Sequence, residues 1–192
     1  MTDPQQLRVH LLDDRLAAYA RLRGGFPIPL AGVVYWAALG VAGHFLELPA
    51  WSMTAFVGSG AIFPLALGFA ALFKNGFMKD RSAVGGVLLP AFVAMLLFWT
   101  LIVAAVQEAP SLVPLILAVG LSLHWPVIGW SYARTALFSA HAVTRSILAL
   151  LIWLLMPDAR LTLLPLSVAA VYLATVFAIL IDSKNVRAKL EM

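Results

Sequence analysis

The chain has 192 residues, of which 62% are hydrophobic and only 11% charged, with a formal net charge of +4 and no cysteine. A water-soluble domain carries about 25% charged residues, so this composition excludes one and points to a chain that buries its surface in a bilayer. The missing cysteines exclude disulfides, thiolate metal sites, iron–sulfur clusters and cysteine nucleophiles.

The mean hydropathy of +0.95 fits the same class. The excess of positive charge is accounted for by its placement at helix ends, described below, so no nucleic-acid partner is expected. The first twenty residues are polar and lack a short apolar core with a small-residue cleavage site. The first spanning helix is therefore expected to act as its own insertion signal.

Residues 3–23 read as a helix outside the membrane core. Asp3 suits the N-cap, Pro4 the first helical position, and Gln6 completes a capping-box-like spacing. Val9, Leu12, Leu16 and Tyr19 form an apolar stripe, with Arg8, Asp14, Arg15 and Arg21 largely off it, and Gly24-Gly25 ends the helix. Such a helix either lies on the membrane surface or caps the bundle from below, and the pattern does not choose between them.

Six apolar segments follow, at 26–48, 51–73, 83–106, 111–132, 135–156 and 162–181. Each is close to the ~20 residues that cross ~30 Å of hydrocarbon as a helix. Helices are expected because lipid-exposed backbone must satisfy its own hydrogen bonds; a barrel would show alternating segments of about ten residues. Arg8, Arg15, Arg21, Arg23, Lys74, Lys79, Arg81, Arg134, Lys184, Arg187 and Lys189 fall on one side of this topology. Arg160, Glu47, Glu108 and Asp158 fall on the other. The positive-inside rule then predicts that both termini are cytoplasmic.

The expected fold class is thus all-α: a polytopic membrane protein of six transmembrane helices with an N-terminal amphipathic helix. Its parts are an interfacial helix at 1–25, the transmembrane domain at 26–182 and a basic cytoplasmic tail at 183–192. Membrane lipid is the expected surrounding partner, and the chain can also form homo- or hetero-oligomers. The run Leu88-Leu89-Pro90-Ala91-Phe92-Val93-Ala94 echoes Leu163-Leu164-Pro165-Leu166-Ser167-Val168-Ala169. Leu, Pro, Val and Ala are so abundant that chance explains the echo better than a three-plus-three inverted repeat.

The richest stretch for chemistry is 121–145, at the hairpin of segments four and five. His124 lies eight residues before Tyr132 and His141 six after Thr135, so both sit roughly 10 Å inside the same boundary. Arg145 is one turn beyond His141 on the same face and about 15 Å deep. Ionisable groups at that depth are expensive and usually face protein or water. The functional expectation is a cytoplasm-facing cavity with Arg145 and His141 at its base. Its wall would be His124, Ser122, Ser131, Ser139 and Thr144, with Trp125, Trp130 and Tyr132 as an aromatic rim.

Arginine there suits an anionic small molecule or lipid headgroup, and histidine suits proton transfer. The competing expectations are a scaffold or assembly partner in which the polar stretch only fixes helix packing, and an intramembrane enzyme using His124 or His141. Axial haem ligation by the two histidines, or zinc binding, rests on spacing alone. No nucleotide-binding loop, serine elbow, HExxH or paired-carboxylate site is present, and neither cofactor nor catalytic residue is expected.

The runs Arg23-Gly24-Gly25-Phe26-Pro27-Ile28-Pro29, Gly60-Ala61-Ile62-Phe63-Pro64-Leu65 and His124-Trp125-Pro126-Val127-Ile128-Gly129-Trp130-Ser131-Tyr132 together resemble an uncharacterised family of small bacterial integral-membrane proteins. The resemblance spans most of the chain and implies a multispanning helical fold. It carries no activity or site residue.

Overall fold

The computed structural model describes residues 3–192, and among them every regular element is helical. The longer helices are α1 (Pro4–Arg21), α2 (Pro27–Ala42), α3 (Leu48–Ser59), α4 (Ile62–Leu72) and α5 (Leu88–Leu96). They continue with α6 (Trp99–Glu108), α7 (Val113–Gly120), α8 (Trp125–Ser131), α9 (Thr135–Leu155) and α10 (Leu163–Leu190). Five stretches are long and apolar enough to cross a membrane: Arg23–Ala42, Gly85–Glu108, Pro110–Ser131, Thr135–Leu155 and Leu163–Leu190. A sixth is formed if α3 and α4, bent by 45° at their junction, count as one span.

The breaks inside the spans have local causes. At the α3–α4 junction the Gly60 and Ala61 amides turn back three residues, to Val57 O and Gly58 O, and Pro64 has no amide with which to continue the ladder. At 121–124 Pro126 has the same effect: the Ser122 and Leu123 amides bond to Val119 O and Gly120 O in 3-10 fashion, separating α7 from α8.

α1 changes character along its length. Asp3 caps it, its Oδ1 accepting from the Gln5 amide at 3.0 Å. Leu7, Val9 and Leu12 remain exposed, whereas Ala18, Tyr19 and Ala20 are buried beneath the bundle. The helix stops at a run of left-handed residues, Arg23 (φ 49°), Gly24 (φ 60°) and Gly25 (φ 65°). Glycine is needed there for contact as well as for φ, because a Cβ on Gly24 would stand 2.4 Å from Ile179 Cγ2.

Four segments meet at one end of the bundle: α1, the α4–α5 connection, the α8–α9 turn and the last turns of α10. Arg21 pairs with Asp80 at 2.5 Å and Arg134 with Asp182 at 2.6 Å. Arg15 donates to Trp130 O, Arg23 to Phe73 O, and Asn75 Nδ2 to Leu22 O at 2.7 Å. Asp14 accepts from Ser82 Oγ at 2.9 Å and the Ala83 amide at 3.0 Å. Burial, then the neighbouring Asp182 carboxylate, raise the pKa of the Tyr19 phenol above its ordinary value.

The other end is held by indole and guanidinium donors on carbonyls. Trp51 Nε1 reaches both Leu39 O and Leu161 O at 3.1 Å, and Trp153 Nε1 reaches Ser111 O at 2.7 Å. Arg160 Nε reaches Trp153 O at 2.7 Å.

α10 packs along α2 and α9. Its 28 residues extend about 42 Å, longer than a bilayer core. Residues 183–190, expected as a tail, continue this helix, with Ser183 and Val186 buried.

Candidate functional site

Arg145 has no accessible surface. On α9 it lies about 15 Å from the helix start at Thr135, at mid-bundle height. All three of its nitrogens have protein acceptors. Nε donates to Ala118 O at 2.8 Å, Nη2 donates to the same carbonyl, and Nη1 donates to the Tyr172 hydroxyl at 2.7 Å. Its guanidinium carbon lies 5.2 Å from the Tyr172 ring centroid and 5.7 Å from that of Trp36. Among the described residues no carboxylate pairs with it.

The Ala118 carbonyl is available because of the α7–α8 break. In a continuous helix it would accept from the Ser122 amide, but that amide bonds to Val119 O at 2.9 Å. The proline-directed interruption thus leaves an acceptor at depth, and Arg145 occupies it. Tyr172 is brought into place by Gly32 on α2: a Cβ there would stand 2.4 Å from Tyr172 Cε1, so only glycine lets the ring lie against the helix.

His141 is 3% exposed and stacks on Trp125, with ring centroids 3.8 Å apart and planes within 18°. Its Nδ1 lies 2.7 Å from Thr175 Oγ1. The Thr175 hydroxyl also lies 2.7 Å from Val171 O, and His141 Nε2 is buried without a partner among the described residues. His124 turns to Phe92, with centroids 5.1 Å apart, and its Nδ1 is likewise buried and unpartnered. The indole nitrogens of Trp36 and Trp125 complete a set of four such atoms among the described residues.

The residues expected to line one cavity therefore divide. Arg145, His141 and Trp125 come together, but in a closed core filled by the Trp125 and Tyr172 rings. Ser122 and Ser131 are buried, and their hydroxyls close their own helix ends on Val119 O at 2.5 Å and Ile128 O at 2.8 Å. Thr144 is exposed and Ser139 only half-buried. Neighbouring helical positions differ by about 100°, so Thr144 leaves the Arg145 face, and Ser139 lies about 200° from His141.

Where these residues meet, side chains fill the space. A cavity of about 620 Å³ lies instead between the first turn of α9 and α10. A smaller one of about 190 Å³ lies beside Leu22, Asp80 and Tyr132, with Ser131 at its edge. In the rim, Trp130 is exposed beneath Arg15, whose guanidinium carbon lies 4.5 Å from its ring centroid, and Tyr132 packs 5.6 Å from Tyr19.

Tyr172, Thr175, Trp36 and the Ala118 carbonyl are parts of the cluster that local sequence reasoning missed. Tyr172 and Thr175 stand three residues apart in the otherwise apolar stretch 168–181, and that spacing was the available signal. Nothing in the sequence marks a backbone carbonyl. Among the described residues no group of three or more His, Asp or Glu side chains is arranged to hold a metal.

The model of the family of unknown function DUF7010 matches residues 11–182, covering α2 to α9 completely and most of α1 and α10. This chain belongs to that family. The uncharacterised family inferred from the three sequence runs agrees with this match. No curated protein and no solved structure matches. The DUF7010 chain is thus an apolar, membrane-embedded helical bundle with a closed arginine–histidine–aromatic cluster in its middle.

Proposed function

We propose that this DUF7010 chain is a non-catalytic multi-pass protein of the bacterial inner membrane, a scaffold or assembly partner whose buried polar cluster is architectural. One observation carries the reading: Arg145 is completely buried and all three of its nitrogens are engaged by Ala118 O and Tyr172 OH. A guanidinium used in this way joins α7, α9 and α10 and has no open face for a ligand. Burying its charge costs several kcal/mol, which hydrogen bonds and ring faces offset only in one packing arrangement, so the cluster specifies register rather than adding stability. The convergence of basic residues at one end of the bundle supports a topology with both termini in the cytoplasm.

The second reading, binding or transport of an anionic or amphiphilic ligand, is favoured by a different observation. Four buried nitrogens, on Trp36, His124, Trp125 and His141, lack partners around a cation that lacks a counter-ion. Native structures leave few such atoms. In this reading a rearrangement of α8 against α9 admits an anion to Arg145.

Arg145→Ala separates the two. It removes a buried cation, leaves Ala118 O and Tyr172 OH without their partner, and opens a large void. The architectural reading expects a loss of about 3–5 kcal/mol of folding stability, seen as aggregation in size-exclusion chromatography and a collapsed thermal transition. A variant that stays monodisperse, and loses a small-molecule adduct that the wild type retains in native mass spectrometry, would establish the binding reading.

A further inference from the structure

Outside the closed cluster, the 620 Å³ cavity is of the size that holds small ligands, and its walls change character along its length. Leu137, Ala178 and Ile181 supply an apolar wall, whereas Arg134, Asp182 and Asn185 supply a polar one. The change falls where the apolar part of α10 ends, at Ile181-Asp182, and where α9 begins. The groove therefore lies where the apolar stretch of α10 gives way to polar residues, at the basic end of the bundle.

Its ion pair is incomplete. Arg134 Nε donates to Asp182 Oδ2 at 2.6 Å, and Nη1 turns away to Ala133 O at 3.0 Å. Arg134 Nη2, Asp182 Oδ1 and the Asn185 side-chain amide make no hydrogen bond within 3.5 Å among the described residues, and the Tyr19 phenol is the other polar group beside Asp182. The two charged side chains are 26% and 38% exposed, so the pair is open to its surroundings. A cationic donor edge and an anionic acceptor thus stand side by side, next to a neutral amide, under an apolar wall.

We propose that this groove binds a phospholipid whose zwitterionic headgroup carries a primary ammonium. The phosphate takes Arg134 Nη2 and the Asn185 amide, the ammonium donates to Asp182 Oδ1, and the first methylenes of an acyl chain lie on Leu137, Ala178 and Ile181. Phosphate and ammonium are two carbons apart in such a headgroup, matching adjacent charges of opposite sign. A choline headgroup has no N–H for Asp182, and a purely anionic one meets its carboxylate. The site shares no residue with the Arg145 cluster, so it stands or falls independently of the scaffold reading.

The test is native mass spectrometry of the full chain in mild detergent, with an equimolar mixture of dioleoyl phosphatidylethanolamine, phosphatidylglycerol and phosphatidylcholine. The ethanolamine lipid is expected to dominate the one-lipid adduct by about tenfold. Ala178→Phe, which fills the apolar wall and keeps the ion pair, is expected to remove that preference. Asp182→Asn, which keeps the phosphate donors and removes the ammonium acceptor, is expected to bring phosphatidylglycerol level with or above phosphatidylethanolamine. Asp182→Asn decides the matter if Ala178→Phe does not fold. Millimolar free phosphoethanolamine is expected to leave the lipid adduct in place, and its displacement would reassign the groove to a soluble headgroup-like ligand. Equal adducts of the three lipids in the wild type, or an undiminished ethanolamine preference in either folded variant, overturns the proposal.

Discussion

Arginine has opposite uses at two heights of this bundle. In the middle, Arg145 is sealed, has no acidic partner and bonds to a carbonyl, a hydroxyl and two ring faces. At the basic end, Arg21 and Arg134 pair with Asp80 and Asp182, and water reaches at least one member of each pair. The difference follows from the surroundings. At the surface a carboxylate costs little to hold in place, and the pair contributes little in return. In the interior a carboxylate would add a second desolvation cost, so neutral acceptors that the fold already leaves open serve the cation instead. A buried arginine in such a chain therefore identifies a helix break before it identifies a ligand.

The contrast can be broken or sharpened by mutation. The largest effect after removal of Arg145 is expected from Arg145→Lys. A single ammonium replaces a fork that spans Ala118 O and Tyr172 OH, so one acceptor is abandoned beside a still-buried charge. A loss of about 2–4 kcal/mol is expected in reversible denaturation. An unchanged transition would mean that charge alone matters there.

Tyr172→Phe keeps the ring face and removes only the acceptor of Arg145 Nη1, leaving part of a buried charged donor unpaired. About 1–3 kcal/mol should be lost, and the same substitution in an Arg145→Met background should cost far less. Equal costs in both backgrounds would show that the two side chains are not coupled.

At the basic end the effects shrink. Arg134→Gln removes a partly exposed pair and is expected to lower stability by about 1 kcal/mol or less, a loss that falls further as salt rises. A salt-independent loss would mean that the pair is sealed as firmly as the central cluster. The smallest effect is expected for Arg187→Ala, which breaks an exposed i,i+4 contact of 3.9 Å with Glu191. Its cost should be no more than about 0.5 kcal/mol, within the error of most thermal scans.

Much of the architecture was legible in the residues. The apolar segments coincide with the five spans and the bent pair to within a few residues at most ends, because span length is set by bilayer thickness. Asp3 and Gly24-Gly25 mark the ends of α1, because caps and left-handed turns are local chemistry. The interior breaks at Gly60–Ala61 and 121–124 are less legible, because Pro64 and Pro126 mark places where a helix can kink without fixing which amides turn back. The site was less legible. Arg145, His141 and Trp125 come together in one cluster, whereas Thr144 and Ser139 were grouped with them by proximity in sequence and face elsewhere on α9. Ser122 and Ser131 were read as cavity wall, but a hydroxyl near a helix end commonly turns to its own carbonyls.

The sequence alone thus determined that this chain is an apolar, membrane-embedded helical protein, where its spans lie, and that its cost-bearing residue is Arg145. These are consequences of composition and one-dimensional spacing. Only the tertiary structure decided that Arg145 is closed off rather than open to a cavity. It also decided that Tyr172, Thr175 and the Ala118 carbonyl are the partners of the cluster, and that an open polar groove lies at Arg134 instead. Those partners come from other helices, and which faces meet depends on close approaches such as Gly32 against Tyr172, a three-dimensional fit that no local pattern encodes.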